Sequence, residues 1–332
     1  MSLIARPPPV MGGPRMGGDH SVGRERLAEI QRRRMISAMV EVASERGASS
    51  VTVARVVARS GVSRRTFYEL FTGGEEECLL AVMEDSLASA RSYVLEVYDP
   101  QEAWRVRIRA ALHALLEFVE EEPGRARLLV VESLCAGRET LERRSRVLAE
   151  LIRAVDAGRG ESERSAALTP LTAEGVVGSV LSIIHARLVK GDRLALVELT
   201  DPLMSMIVLP YLGAAAARRE LDRPLPERRR RAPHASDGAN HLNDLPMRVT
   251  YRTMCVLSAI ASRPGASNAR IGQAAGITDQ GQMSKLLHRL KKLGLILNGG
   301  AGQARGMSNA WTLTPTGVQV ERAMSRSRNV ER

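Results

Sequence analysis

The chain has few aromatic residues and few cysteines for its length. Only 3% of its 332 residues are aromatic, so aliphatic side chains must fill any core. The three cysteines, Cys78, Cys135 and Cys255, lie far apart and form neither a disulfide framework nor the spacing of a zinc site. We therefore expect a reducing, cytoplasmic location and neither a metal nor another cofactor.

Long hydrophobic runs are also lacking. The most apolar stretch, residues 203–217, contains Pro210 and is shorter than the roughly 20 residues that cross a bilayer. The amino-terminal segment is rich in proline and glycine and lacks the apolar centre of a signal peptide. These absences predict no membrane partner. Residues 1–22 are expected to form a disordered basic arm.

Patterns typical of catalysis are missing as well. The six histidines are scattered, no glycine-rich phosphate loop follows a strand, and no paired carboxylates or Ser/His arrangement has a plausible scaffold. The sequence therefore predicts a protein that is not an enzyme.

What the sequence does have is positive charge, unevenly placed. The net charge is +11 and the pI about 10.3. Residues 36–217 carry 21 basic and 26 acidic residues, whereas residues 242–332 carry 13 basic and only 4 acidic ones. This favours a polyanionic partner near the carboxyl terminus without identifying it.

Two segments, 52–71 and 267–290, have the pattern of a helix-turn-helix. In each, a short helix ends at a glycine, an apolar residue follows, and a hydroxyl is placed to cap a second helix. These residues are Gly61, Val62 and Ser63 in the first segment and Gly276, Ile277 and Thr278 in the second.

The first segment resembles the amino-terminal DNA-binding domain of TetR-family transcriptional regulators. The resemblance is carried by Thr52-Val53, Ala58, Gly61-Val62-Ser63, Thr66-Phe67-Tyr68 and Phe71, followed by an acidic helix start. Where the family usually has a lysine after the phenylalanine, this chain has Gly73-Gly74. The resemblance implies a reader at 23–72, an all-helical ligand-sensing and dimerisation body at 73–217, and a homodimer that represses transcription until an inducer releases it from DNA.

Two features of the body bear on function. Helices at 172–190 and 201–217 fit either an ordinary core hairpin or a dimer interface, with candidate residues Gly175, Gly178, Ser179, Ser182, Met206 and Tyr211. A pocket for a small apolar inducer is expected among helices near 104–155. Its candidate liners, each of which also fits ordinary core, are Trp104, His113, Phe118 and Cys135.

An Arg/Pro-rich linker is predicted at 218–245, and residues 246–332 resemble a MarR-like winged helix. The resemblance rests on Ser284, Leu287, Arg289-Leu290, Gly294-Leu295-Ile296 and the segment 311–317, with two short strands near 295–298 and 310–314. The expected fold is thus mostly α: a three-helix reader, a helical body, and a winged helix with a small β-hairpin. The last domain could read DNA or could bind protein, including a second copy.

Double-stranded DNA is the expected partner, contacted by the first turns of the two recognition helices. In the first reader the candidates are Thr52, Ser63, Arg64, Arg65, Thr66 and Tyr68, whereas Phe67, Leu70 and Phe71 are expected in the core. In the second they are Thr278, Gln280, Gln282, Ser284, Lys285, His288, Arg289 and, at the wing tip, Arg305.

Overall fold

The chain folds into mostly helical structure, as expected. The computed structural model describes residues 17–47, 51–135, 137–162, 168–191, 195–224, 250–300 and 309–325. The chain divides into two compact units. Residues 35–234 form one, and residues 1–34 together with 235–332 form the other.

The first unit opens with a helix-turn-helix. It consists of the end of α1 (Gly17–Arg46), α2 (Val53–Ser60) and α3 (Arg64–Leu70). Gly61 adopts a left-handed conformation with φ 66°, which an L side chain rarely tolerates, so the expected role of this glycine is confirmed. Phe67 and Phe71 are 1% and 0% exposed with ring centroids 5.3 Å apart, and their predicted place in the core is also confirmed.

In the described residues, six helical segments build the body of the first unit. They are α4 (Gly74–Leu95), α5 (Trp104–Glu121), α6 (Pro123–Val130), α7 (Arg138–Asp156), α8 (Pro170–Lys190) and α9 (Thr200–Leu221). Short 3-10 turns lie at Glu132–Cys135, Ala157–Glu161 and Leu196–Leu199. Their shared core is aliphatic with a few rings, among them Tyr93, Phe118 and Tyr211.

The segment labelled α9 is two helices that meet at Gly213, whose φ of 79° and ψ of 178° are not helical, so its two ends can approach one another. A buried ion-pair cluster ties α5 to both of these ends. Arg109, 4% exposed, donates to Glu220 over 2.9 Å and also to Asp201. The carboxylate of Glu220 is itself 1% exposed. The sequence analysis ended this helix at residue 217, whereas the helical segment after Gly213 continues to Leu221.

Two segments of the body are long and apolar enough to resemble membrane spans by composition: Pro170–Lys190 and Leu196–Leu221. Much of α9 lies in the core, including Leu203 and Met204 at 2% and 0% exposure. Apolar side chains nevertheless face outward on both helices, including Leu171, Val189 and Leu209. Each helix is thus buried in the core on one face and has exposed apolar side chains on the other, a pattern typical of a helix that packs against a second surface.

Besides the start of α1, the described residues of the second unit form three helices, a hairpin and a last helix. They are α10 (Tyr251–Ser262), α11 (Asn268–Ala274), α12 (Gln280–Lys292), β1 (Ile296–Asn298), β2 (Trp311–Leu313) and α13 (Pro315–Ser325). The strands pair antiparallel, with Leu297 opposite Thr312. Both predicted strands are confirmed, and Gly276 repeats the left-handed φ of 66° found at Gly61.

The start of α1 belongs to this second unit, which the sequence analysis did not foresee. Ile30, 2% exposed, lies in one core with Val256, Leu257 and Trp311, and Leu27 packs against it. Gly23 lies so close to the Tyr251 ring that a Cβ would collide with it. The helix also begins at Gly17, so residues 17–22, assigned above to a disordered arm, are helical.

Candidate nucleic-acid interface and ligand cavity

The first turn of α3 presents two arginines to solvent. Arg64 is exposed, and the Arg65 side chain is 89% exposed while pairing with Glu69 over 2.8 Å. Tyr68, one turn on, is 47% exposed, and its ring stands edge-on to Phe67 at 5.4 Å. The buried phenylalanine thus anchors the helix while the polar residues face outward.

The three hydroxyls predicted beside these arginines are used within the protein. Thr52 accepts a hydrogen bond from the Arg55 amide at 3.4 Å and caps α2. Ser63 accepts from the Thr66 amide at 3.0 Å and caps α3, with its hydroxyl 2.7 Å from that of Thr66. Since each cap fixes the start of a helix, these residues position the surface even without touching a ligand.

The acidic first turn of α4 supplies hydrogen-bond acceptors to this region. Glu75 accepts from the Val53 amide at 3.0 Å, so a side chain of α4 satisfies a free N–H at the start of α2. Glu77 accepts from the Gly73 amide at 2.7 Å. Gly74, one of the two glycines found where the resemblance leads us to expect a lysine, has φ +71°. The turn is therefore built for a tight helix start rather than for a basic contact.

A second polar face lies on α12. Its predicted contact residues are all exposed: Thr278, Gln280, Gln282, Ser284, Lys285, His288 and Arg289. Arg305 lies outside the described residues. The predicted cap is corrected, because Asp279 rather than Thr278 accepts from the Gln282 amide, at 3.0 Å. A carboxylate caps as well as a hydroxyl does, and it stands one residue closer to the helix.

Arg252 is a surface residue that the sequence analysis missed. From the first turn of α10 it donates to the Gln282 Oε1 atom over 2.5 Å. Because a guanidinium only donates, this bond leaves the amide nitrogen of Gln282 as the group free to face a partner. No local pattern signals it, since the two residues are 30 positions apart.

The base of the hairpin is fixed by side-chain amides. Trp311 donates from its indole to Asn268 at 2.6 Å, and Asn309 donates to the same oxygen at 3.2 Å. Asn298 in turn donates to Asn309 at 2.7 Å. The network joins β1 and β2 to the start of α11, so the strands hold a defined position on the helices.

A cavity of about 920 Å³ opens among α4, α5, α6, α7 and α8 in the first unit. Its walls are largely aliphatic, with three arginines, two glutamates and one histidine among the lining residues. Its size lies within the usual range of small-molecule sites. Of the predicted liners, Phe118 lies in the wall of this cavity, and the side chain of Cys135 lies outside the described residues.

Trp104 and His113 serve other purposes, which corrects their predicted role as liners. Trp104 packs against Tyr211 with ring centroids 5.2 Å apart and donates its indole N–H to the Ala154 carbonyl. His113 lies 3.0 Å from the Thr200 hydroxyl, through Nδ1. That hydroxyl donates to the Val197 carbonyl, so it accepts from the imidazole. Both aromatic groups therefore join α5 to neighbouring core elements.

The predicted interface residues lie in four different environments. Gly175 and Ser179 are exposed on α8. Gly178 and Ser182 line the cavity, and Met206 is half-buried. Tyr211 is 2% exposed inside the body, and burial raises the pKa of its hydroxyl. Its burial against Trp104 leaves it little surface to offer a second copy.

In the described ranges of the chain, no three His, Cys, Asp or Glu side chains are grouped so that they could hold a metal ion. The chemistry available at both polar faces is therefore hydrogen bonding and charge. Guanidinium, amide and ammonium groups on a helix face can meet base edges or phosphates, whereas the cavity can hold a mainly apolar ligand.

Comparison with known proteins finds a family match near the amino terminus of the chain. The family described as "Bacterial regulatory proteins, tetR family" matches residues 35–82. The nucleoid occlusion factor SlmA of Vibrio cholerae serotype O1 is 30% identical over 140 residues, which cover 41% of this chain and 66% of that protein. The SlmA of Serratia proteamaculans is 28% identical over 134 residues, 40% and 66% of the two chains. The chain thus spans just under two thirds of the length of these curated relatives.

Solved structures of similar fold are more distant in sequence. The regulator FadR from Bacillus subtilis, solved in complex with stearoyl-CoA, is 16% identical with a TM-score of 0.46, covering 53% of this chain and 96% of its own.

Proposed function

Because residues 35–82 form an amino-terminal domain of the tetR family, we propose that the chain is a transcriptional regulator that binds double-stranded DNA as a homodimer. The observation that carries the proposal is the exposed first turn of α3, held by the Ser63 cap and the buried Phe67. Promoter occupancy by the dimer represses transcription, and a small ligand relieves it.

Arg64 and Arg65 are the residues assigned to base reading. A recognition helix enters the major groove with its first turns, where arginine pairs bidentately with guanine. Arg65 pairs with Glu69 in the free protein, but an ion pair this exposed contributes little and is easily exchanged for a base. Tyr68 and the helix starts are assigned to phosphate.

Ligand response is proposed to act through α4. This helix lines the cavity from Met83 to Leu95, and its first turn holds α2 through the bond between Glu75 and the Val53 amide. A ligand that favours one position of α4 thereby favours one position of the helix-turn-helix. Exposed apolar residues on α8 and α9 support their use as the dimer surface.

We assign a second DNA contact to α10–β2, with the order of elements typical of a winged helix. The face of α12 carries Lys285, Arg289, Lys291 and Lys292, all exposed. The alternative is that this region binds protein. Charge supports DNA, because residues 242–332 have 13 basic and 4 acidic residues.

A gel-shift experiment on the full chain tests the first reader. DNA fragments selected from genomic DNA by the protein serve as specific probes, and unrelated fragments serve as competitors. The double variant Arg64→Ala/Arg65→Ala is expected to lose about 10- to 100-fold in specific affinity and much less in non-specific affinity.

Arg138→Ala is the matched control. Arg138 is 90% exposed and pairs over 2.8 Å with Glu142, four positions further on, just as Arg65 pairs with Glu69. Unlike Arg65, it lies on α7. It should bind as the original chain does. Equal loss on every DNA sequence would instead assign both arginines of α3 to the backbone of DNA.

The similarity to SlmA supports a second candidate function, nucleoid occlusion. The two functions differ in where the protein sits on the chromosome. Footprints clustered at a few promoters support transcriptional regulation, whereas many sites dispersed over the chromosome, away from promoters, support occlusion. The same footprints from a Lys285→Glu/Arg289→Glu variant test the second reader, since charge reversal there should weaken binding and reduce its salt dependence.

A further inference from the structure

The cavity has an excess of positive charge that its own acidic residues do not balance. Its charged lining consists of Arg91, Arg143, Arg144, Glu84 and Glu150, together with His185. Arg143 pairs with Glu84 through contacts of 2.5 and 3.2 Å, and Arg91 pairs with Glu150 over 3.3 Å. Both carboxylates of the lining are thus paired with other arginines, and Arg144 has no acidic partner in the cavity.

Besides the paired Arg143 and Glu150, α7 gives the cavity Arg144 and a set of apolar residues. On α7 the cavity is lined by Val147, Leu148 and Leu151, at three, four and seven positions after Arg144. Residues at these spacings share one helix face. Arg144 therefore begins the stripe that faces the cavity, and it is half-buried. Among the described residues, Arg144 makes no hydrogen bond or ion pair.

The rest of the wall is apolar and extends to the rim. Leu95 and Leu134 line the cavity while 67% and 47% exposed. Large apolar side chains left open beside a cavity are a feature of ligand sites. A ligand that contacts this apolar wall and also pairs with Arg144 has an apolar body and one anionic group.

We propose that the cavity binds an amphipathic anion, whose acidic group pairs with Arg144 and whose hydrocarbon part lies along α4, α7 and α8. This deepens the ligand response proposed above and rests on it for its regulatory meaning. Pairing a half-buried guanidinium with a carboxylate is worth more than pairing it at the surface, because the surrounding apolar wall screens it less.

Calorimetric titration of the full chain with three probes of equal chain length tests this inference. The probes are dodecanoate, dodecan-1-ol and dodecylammonium, each below its aggregation concentration. We expect dodecanoate to bind at least about tenfold more tightly than the alcohol, and dodecylammonium to bind most weakly. Equal affinities for acid and alcohol, or no binding of dodecanoate, overturn the proposal.

Arg144→Gln and Arg146→Gln form the matched pair of variants. Arg146 lies on the same helix, is exposed, and does not line the cavity. The preference for the acid should disappear in Arg144→Gln while its affinity for the alcohol stays, which also shows that the variant is folded. The preference for the acid should persist in Arg146→Gln. An acid preference that survives in Arg144→Gln removes that residue from the site.

Failure of the proposed function gives a different result. If dodecanoate binds through Arg144 but leaves the affinity for DNA unchanged, the ligand site stands and the regulatory response is wrong. If the chain does not bind DNA at all, the titrations still decide the chemistry of the cavity.

Discussion

Ile30→Ala tests whether the start of α1 belongs to the carboxyl-terminal unit. Ile30 is 2% exposed among Val256, Leu257 and Trp311, although more than 200 positions separate it from them. Ile36 provides a matched control: the same residue type on the same helix, 3% exposed, but in the core of the helix-turn-helix. The two substitutions remove the same atoms from different cores.

The expected loss follows from burial. Replacing a buried isoleucine by alanine costs about 2–5 kcal/mol, and we expect about 3 kcal/mol for Ile30. A unit of this size has about 5–10 kcal/mol of stability in total. A loss of about 3 kcal/mol raises the open population roughly 100-fold, and amide protection within the unit should fall by a similar factor.

Hydrogen exchange followed by mass spectrometry on the full chain measures this region by region. Ile30→Ala should reduce protection in α10, α12 and α13, whereas Ile36→Ala should reduce it in α2 and α3. Unchanged protection across 250–325 in Ile30→Ala, or loss confined to 35–82, would refute the assignment of this helix segment.

Four further substitutions test individual residues. Asp279→Ala should destabilise the carboxyl-terminal unit by about 1 kcal/mol in chemical unfolding, whereas Thr278→Ala should have little effect; the reverse order would restore the threonine as the cap. Arg109→Met leaves Glu220 buried with only Arg105 and Arg223 nearby, at 3.4 and 3.8 Å, and should lower the free energy of unfolding by about 3 kcal/mol; a loss below about 1 kcal/mol would contradict a tightly coupled cluster. Burial raises the pKa of Tyr211 above its ordinary 10.0, so the unfolded chain loses this proton first and stability falls as pH rises past 10.0. Thermal unfolding of Tyr211→Phe should show less of this alkaline loss, and identical pH profiles would exclude the tyrosine as its source.

The helix-turn-helix could be predicted from sequence because its determinants are local. Gly61, Ser63 and Phe67 lie within seven positions, and each acts on its own turn, cap or core. The glycine at 276 and the two strands were predicted for the same reason. Thr278 was wrongly predicted as the helix cap, because the adjacent carboxylate of Asp279 can fill the same role and does so.

Non-local contacts could not be predicted in this way. Trp104 and His113 look like pocket residues because aromatic and polar groups often line ligand sites, but their partners, Tyr211 and Thr200, are far along the chain. The sequence analysis did not predict Arg144 as a cavity residue, for the opposite reason. A charged residue at the start of an amphipathic stripe looks like part of the solvated face until the structure shows the cavity beside it.

The split core of the carboxyl-terminal unit also has a consequence for biosynthesis. Ile30 is made 226 residues before Val256, the difference between their positions. At about 5–20 residues per second, the nascent chain waits roughly 10–45 seconds before this side chain can be buried. The helix-turn-helix and the body are contiguous and can fold on the ribosome during that time. Folding of the last unit must instead recruit a segment that was made more than 200 residues earlier, so this unit completes its core after the other one.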